Sequence, residues 1–255
     1  MRMLALRSVI TAFSFFSAIP MPQVRWDDAN MRYMMAAFPL VGAVIGALWW
    51  TWGQICVAAG LGTLLKGVGY ALIPVLITGG IHLDGLADVI DAQSSHASPE
   101  RKREILKDPH VGAFAIIGTC CYLMTFAALA SELFPHQTLA LACIPVISRC
   151  LSGFVTVTFR TSKRDGMLAS EQTSADARVV RVILAVVWVV ATVILALQNP
   201  ATAALSTVVS LAVVAAVVRL AQTQFGGMSG DLAGYLLQMV ELAMLASLVV
   251  AGRLW

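Results

Sequence analysis

The residues best able to do chemistry lie in one short stretch, Gly79-Gly80-Ile81-His82-Leu83-Asp84-Gly85-Leu86-Ala87-Asp88-Val89-Ile90-Asp91. Asp84, Asp88 and Asp91 stand at i, i+4 and i+7. At 3.6 residues per turn, a helix brings all three to one face within an arc of about 60°. Bare carboxylates stacked in this way repel one another, the more so where the local dielectric is low. A cation must therefore sit among them. Hard oxygen ligands in this number suit Mg²⁺ or a similar divalent ion, which completes its shell with water and phosphate oxygens. A helix cap or solvated helix end accounts for one aspartate or two, but not for three on one stripe.

Glu104 and Asp108 form a second acidic pair at i and i+4, among Arg101, Arg103 and Lys107. Taken alone they read as a charged surface helix with internal ion pairs. Beside the first stripe they would instead be the fourth and fifth ligands of a two-metal site, with Arg103 and its neighbours free for phosphate. Gly112 would let a backbone or a ligand approach closely. The segment Gly226-Gly227-Met228-Ser229-Gly230-Asp231-Leu232-Ala233-Gly234 follows near the C-terminus. Gly226, Gly227 and Gly230 suit exposed N–H groups for a phosphate and equally suit close helix packing. Asp231 has no packing explanation.

Glu241 falls inside an apolar run and needs a partner. Arg149 does too, where an unpaired charge costs about 2.5–3.5 kcal/mol or more. Pairing with Glu241 and gripping a phosphate as a bidentate fork are both open to it. His82 falls about 160° around the helix from Asp84, so it reads as a packing residue behind the stripe. His96, His110 and His136 show no ligand spacing, and Arg164-Asp165-Gly166 reads as a turn.

These residues are positioned by an apolar framework. Of 255 residues 59% are hydrophobic and only 12% charged, with mean hydropathy +0.83. Soluble domains carry roughly 25% charged residues, so 14 acids and 17 Lys/Arg cannot cover this chain in water. Disorder is excluded by the same richness in apolar residues. The solvent is a lipid bilayer. The net charge of +3 lies on no contiguous basic face, so nucleic acid is not a partner. Cys56, Cys120, Cys121, Cys143 and Cys150 form no CxxC and read as small apolar core residues.

Apolar blocks at about 33–58, 67–87, 111–130, 138–157, 182–198, 201–219 and 233–251 predict an all-α polytopic bundle of about seven transmembrane helices. Leu4 to Ile19 carries Arg7 and no convincing cleavage site, which predicts an interfacial or re-entrant N-terminal helix rather than a signal peptide. Fourteen of the 17 cationic residues precede the first span or lie in the long polar loops, against Lys66 and Arg253 on the other side and Arg149 within a span. That asymmetry puts the N-terminus and the acidic clusters at the cytoplasm and the C-terminus outside. With no repeat and no composition shift, residues 1–255 are expected to form one integral-membrane catalytic domain.

The run from Gly79 to Ala92, GGIHLDGLADVIDA, closely resembles the signature of the cobalamin synthase family, the adenosylcobinamide-GDP ribazoletransferases. Phe15 to Pro22, Phe38 to Gly46, Glu104 to Gly112, Ile147-Ser148-Arg149, and the Gly226–Gly234 segment with Glu241 agree in order and spacing, so the resemblance spans the chain. Pro109-His110 and Ala113-Phe114-Ala115 depart slightly around Asp108. The resemblance implies a Mg²⁺-dependent transferase of the bacterial inner membrane. Adenosylcobinamide-GDP and α-ribazole, or its 5′-phosphate, would be joined with release of GMP. It implies that Asp84, Asp88, Asp91 and Asp108, with Glu104, hold metal. Asp91, then Glu104, are the candidates for general base, and Arg149, Arg103 and the glycine segment with Asp231 for holding phosphate. Beyond the corrinoid and nucleoside substrates, the partners to consider are a second copy of the chain and other enzymes of the cobalamin pathway.

Three other classes use similar residues. CDP-alcohol phosphotransferases expect an Asp-Gly pair followed by Ala-Arg, whereas Asp84-Gly85 is followed by Ala87-Asp88. Prenyltransferases carry two separated DxxxD-type motifs, the second of which Glu104 and Asp108 could imitate. An ion-coupled transporter would place its carboxylates at the midplane and show repeats, neither of which is read here.

Overall fold

The computed structural model describes residues 2–24, 27–159 and 176–254; Arg164-Asp165-Gly166 lies outside the described residues. Helices α1 (Arg2–Phe16), α2 (Asp28–Met31) and α3 (Met34–Ala58) come first. They are followed by α4 (Thr63–Thr78), α5 (Ile81–Ser94), the short α6 (Pro99–Ile105) and α7 (Ala113–Ser131). A 3₁₀ turn at Pro135–Gln137 leads into α8 (Thr138–Thr158), and α9 (Ala177–Gln198) and α10 (Pro200–Leu220) follow. A π turn at Ala221–Phe225 precedes α11 (Gly230–Leu254). In a bilayer every backbone polar group must be satisfied within its own segment, so apolar runs of this length become helices. No strand occurs among the described residues.

Among the described residues six helical stretches are long and apolar enough to cross a membrane: Met34–Ala58, Ala113–Ser131, Pro135–Thr158, Ala177–Gln198, Pro200–Phe225 and Gly230–Leu254. The chain is therefore an all-helical integral membrane protein, as its composition requires. The predicted span at 67–87 differs: it is broken into α4 and α5, which meet at 101° and count as a seventh crossing only if taken together. The break is Gly79-Gly80, with φ of +64° and +82°. A left-handed conformation is strained for residues with a Cβ, and two glycines in succession accept it.

The bundle is organised around α8, its most enclosed long helix. The backbones of α3 and α8 almost touch. A Cβ on Gly42 or Gly46 would lie 2.3 Å from the carbonyl oxygen of Pro145 or Ala142. Between membrane helices, where lipid tails are as apolar as leucine, such close approach is the main attraction. Helices α9 and α10 sit at the periphery and turn Val182, Val186, Val189, Val193 and Val208 outward. Cys120 and Cys121 also face outward on α7, whereas Cys56, Cys143 and Cys150 are buried as expected. Helix α1 packs on α3, and Ala18 N–H donates to the Ile77 carbonyl at 2.7 Å, tying the N-terminal segment to the end of α4.

Candidate active site

Because the chain bends at Gly79-Gly80, α5 runs across the starts of α7 and α11 and packs mainly on those two helices. Its inner face carries His82, Gly85, Leu86, Val89 and Ala92. Its other side leaves Asp84 exposed and Asp88 and Asp91 half-buried. The glycines make the contact with α11 close: a Cβ on Gly85 would lie 2.7 Å from the Asp231 carbonyl oxygen. One on Gly234 would lie 3.1 Å from the His82 carbonyl oxygen. This approach adds a fourth carboxylate to the stripe. Asp88 stands within electrostatic reach of Asp84, Asp231 and Asp91.

Like charges at i and i+4 on one helix face repel, at about 0.2–0.5 kcal/mol per pair. Asp84, Asp88 and Asp91 make no ion pair among the described residues, so no lysine or arginine offsets that repulsion. An all-oxygen donor set with uncompensated charge fits a hard divalent cation. Among the described residues no group of three or more His, Cys, Asp or Glu side chains is arranged to hold a metal ion.

The second acidic pair is not brought into this group. Glu104 is exposed and bonded to Arg101 at 2.7 Å. Asp108 is exposed and bonded to His110 Nδ1 at 2.6 Å. The backbone N–H and ring of His110 hold the Asp108 carboxyl below its usual range. Both take the surface-pair reading, and the five-ligand set expected from the sequence is not assembled here. Gly112 does admit a close neighbour. A Cβ there would fall 2.1 Å from Asp91 Oδ1, so the aspartate carboxylate rests on the backbone that opens α7.

Helix α6 does reach the glycine segment. Gly226 and Gly227 have φ of +73° and +140°, and Gly227 N–H closes the π turn on the Ala221 carbonyl at 3.0 Å. Arg103 Nη1 lies 2.9 Å from where a Gly226 Cβ would be, while Arg103 also holds Glu100 at 2.8 Å. The neighbouring Lys102 is buried and joins α5 to the π turn, donating to Gln93 at 3.2 Å and Gln224 at 3.1 Å. At Asp231, Ser229 Oγ donates to the carboxylate at 3.3 Å and accepts from Leu232 N–H at 3.2 Å, which caps α11. Arg103 thus meets the glycine segment at Gly226, five residues before Asp231 in the chain.

Arg149 takes the first of its two open roles. Its guanidinium is fully buried and donates to Glu241 Oε1 at 2.6 Å and to the Pro145 carbonyl at 2.9 Å. Ser148 Oγ donates to the same carboxylate oxygen at 2.9 Å, and the Phe38 ring covers the guanidinium at 5.7 Å. The pair locks α8 to α11, so Arg149 does not face the aspartate groove, and the direct phosphate-gripping and catalytic roles expected of it are replaced by a positioning one. His82 is buried against the Phe16 and Phe38 rings, with centroids at 6.1 and 5.5 Å, as a packing residue.

Thr119 is the group that no spacing in the sequence announces. It sits in an apolar helix, its buried hydroxyl has no partner among the described residues, and it lines a cavity of about 370 Å³ with Gly79, Gly80 and Asp84. That volume falls in the range of small-molecule sites.

The family model described as Cobalamin-5-phosphate synthase matches residues 8–249. A relative from Lachnoclostridium phytofermentans named adenosylcobinamide-GDP ribazoletransferase is 39% identical, covering 96% of this chain and 94% of its own. A protein of the same name from Clostridium botulinum (strain Alaska E43) is 31% identical over 94% of this chain and 96% of its own. One from Geobacillus thermodenitrificans is 29% identical over 90% of each. No solved structure matches.

Proposed function

This chain belongs to the cobalamin-5-phosphate synthase family, and from that premise we propose that it is the transferase that joins adenosylcobinamide-GDP to α-ribazole or α-ribazole 5′-phosphate, releasing GMP. We place the reaction at the cytoplasmic face of the bacterial inner membrane, with Mg²⁺ required. The observation that carries this reading is the gathering of Asp84, Asp88 and Asp91 on α5 with Asp231 on α11, in a chain matched to the family over residues 8–249. The cytoplasmic assignment follows from the clustering of cationic residues on the side of the acidic loops.

In this reading Asp84, Asp88 and Asp231 would hold the divalent ion. Bound there, Mg²⁺ would neutralise the diphosphate and stabilise the leaving oxygen. The protein's own groups do the rest. Arg103 and the N–H groups of the Gly226–Gly230 turn grip phosphate oxygens, since glycine leaves the backbone open to them. A ribose hydroxyl of the acceptor attacks the phosphorus attached to the corrinoid. As that P–O bond forms, the P–O bond to GMP breaks and its electron pair leaves with the GMP phosphate. The hydroxyl proton passes to a carboxylate, for which Asp91 is our choice: it is half-buried and lies against the Gly112 backbone, whereas Glu104 is occupied by Arg101. Thr119 and the cavity beside Asp84 offer a polar contact for one substrate.

The test uses membranes containing the protein, adenosylcobinamide-GDP, α-ribazole 5′-phosphate and Mg²⁺, with GMP and corrinoid product measured together. Product that needs Mg²⁺ and disappears in Asp84→Asn is expected. Folded protein that yields none with either acceptor would reject this substrate assignment.

A further inference from the structure

We infer that the end of the bundle remote from the aspartates carries a second binding site, for the phosphate group of a phospholipid. Helix α4 starts at Thr63 and ends at the Gly79-Gly80 bend, so its first turn lies about 24 Å from the aspartate end. At that first turn there is a cavity of about 300 Å³ between α3, α4 and the α7–α8 connection. Gly53, Cys56, Lys66, Tyr70, Phe134 and Thr138 are among the residues that line it, and no carboxylate does.

Three donors meet there. Lys66 is a cation on the side of the membrane that otherwise holds almost none, and it makes no ion pair among the described residues; its ammonium reaches only the Leu133 carbonyl, at 2.7 Å. The α4 N-terminus is capped by Gly62 without a side-chain hydrogen bond, which leaves first-turn N–H groups without an intrahelical acceptor. Tyr70 supplies the third. Its side chain is 1% exposed, its hydroxyl points between the wall residues Gly53 and Thr138, and that hydroxyl has no partner among the described residues. A buried hydroxyl left unpaired is costly, so a polar group from the cavity is the natural acceptor.

The walls are held firmly. Trp49 Nε1 donates to the Tyr70 carbonyl at 2.9 Å and Trp52 Nε1 to the Lys66 carbonyl at 3.0 Å, which pins α4 to α3. A lysine ammonium in a cavity that no carboxylate lines favours an anion. Val57, Leu64 and Leu65 stand exposed beside the opening, at 58%, 77% and 51%, which gives acyl chains a surface to lie on. Free phosphate would gain nothing from that surface. A phospholipid would gain both contacts, tying the outer end of α4 to α8 while α5 works at the other end.

The full-length protein in phosphatidylcholine nanodiscs, with a minor share of phosphatidylglycerol, tests this by counting retained lipid in native mass spectrometry. The intact protein is expected to keep phosphatidylglycerol. Lys66→Gln is expected to lower retention about tenfold, as loss of a charge-assisted hydrogen bond should, while Lys66→Arg restores it. Tyr70→Phe, which removes only the hydroxyl and keeps the packing, is expected to give a smaller loss. Inorganic phosphate added to detergent-solubilised protein is expected to leave its Tm unchanged. Equal retention by the intact protein and both the Lys66→Gln and Tyr70→Phe variants overturns the site. Lys66-dependent protection by inorganic phosphate, without lipid retention, overturns the lipid assignment.

Discussion

Changing Glu241 to Gln should destabilise the bundle more than any single change in the aspartate stripe. Arg149 and Glu241 are each 1% exposed and 2.6 Å apart, so neither charge has water to fall back on. Removing one partner of a buried pair costs about 3–5 kcal/mol, chiefly because the other charge stays buried and uncompensated. Gln keeps the volume and one acceptor oxygen, which places the expected loss near the lower figure, about 3 kcal/mol. At about 2–4 °C per kcal/mol for a chain of this size, Tm in detergent should fall by roughly 6–12 °C. Replacing both groups with apolar residues, Arg149→Met with Glu241→Leu, should recover most of that, because no charge then remains to be solvated. Activity gives the second readout. Asp231 lies ten residues before Glu241 on α11, about 15 Å along the axis. Helix α11 is hung from α8 by this pair and by Ser152 Oγ, which donates to the Ala233 carbonyl at 2.9 Å. Positioning predicts that activity recovers with stability in the double variant. Thermal unfolding of each purified variant, followed by turnover below its Tm, measures both. A Tm within 2 °C of the parent for Glu241→Gln, or a stable double variant devoid of activity, refutes the reasoning; the latter would return Arg149 to the reaction itself.

Gly112→Ala would drive a methyl group into the Asp91 carboxylate; a displacement of about 1 Å should cost on the order of 10²-fold in turnover with little change in Tm, a split that steady-state kinetics and melting curves can show. Asp231→Asn should abolish or severely reduce activity while Glu104→Gln leaves it near the parent value, because only the first residue joins the α5 carboxylates; comparing the two variants over a Mg²⁺ titration checks this, and equal loss in both would return Glu104 to the proposed metal ligands. Gly80→Ala must hold a Cβ at φ +82° and should cost about 1–2 kcal/mol, read as a Tm drop of roughly 2–8 °C; an unchanged Tm would mean that the α4–α5 bend does not need its glycines.

The solvent, the helices and the acidic face of α5 were legible along the chain because each is a local property. Hydropathy over about twenty residues decides between water and lipid. A 3.6-residue period alone puts Asp84, Asp88 and Asp91 on one face and His82 behind them, and the structure keeps that division, with the aspartates outward and His82 against Phe16 and Phe38. The signature around these residues identified the family for the same reason, since it is a run of neighbours.

What the chain alone left open depended on which helices touch. Arg149 could pair or bind phosphate with equal local logic, and the packing of α8 on α11 decided it by placing Glu241 at 2.6 Å. Glu104 and Asp108 share the helical spacing of the α5 stripe, yet exposed partners three and two residues away engage them, and no local rule shows that. The apolar run at 67–87 reads as one span until Gly79-Gly80 turns it through 101°. That bend, with the bare backbone at Gly85, is what lets Asp231 join residues some 140 positions earlier in the chain. Residue types and periodicity are written into the sequence, so it determined a membrane enzyme with an acidic helix. The distance between backbones is set by many helices packing at once, so only the tertiary structure decided which carboxylates share a site.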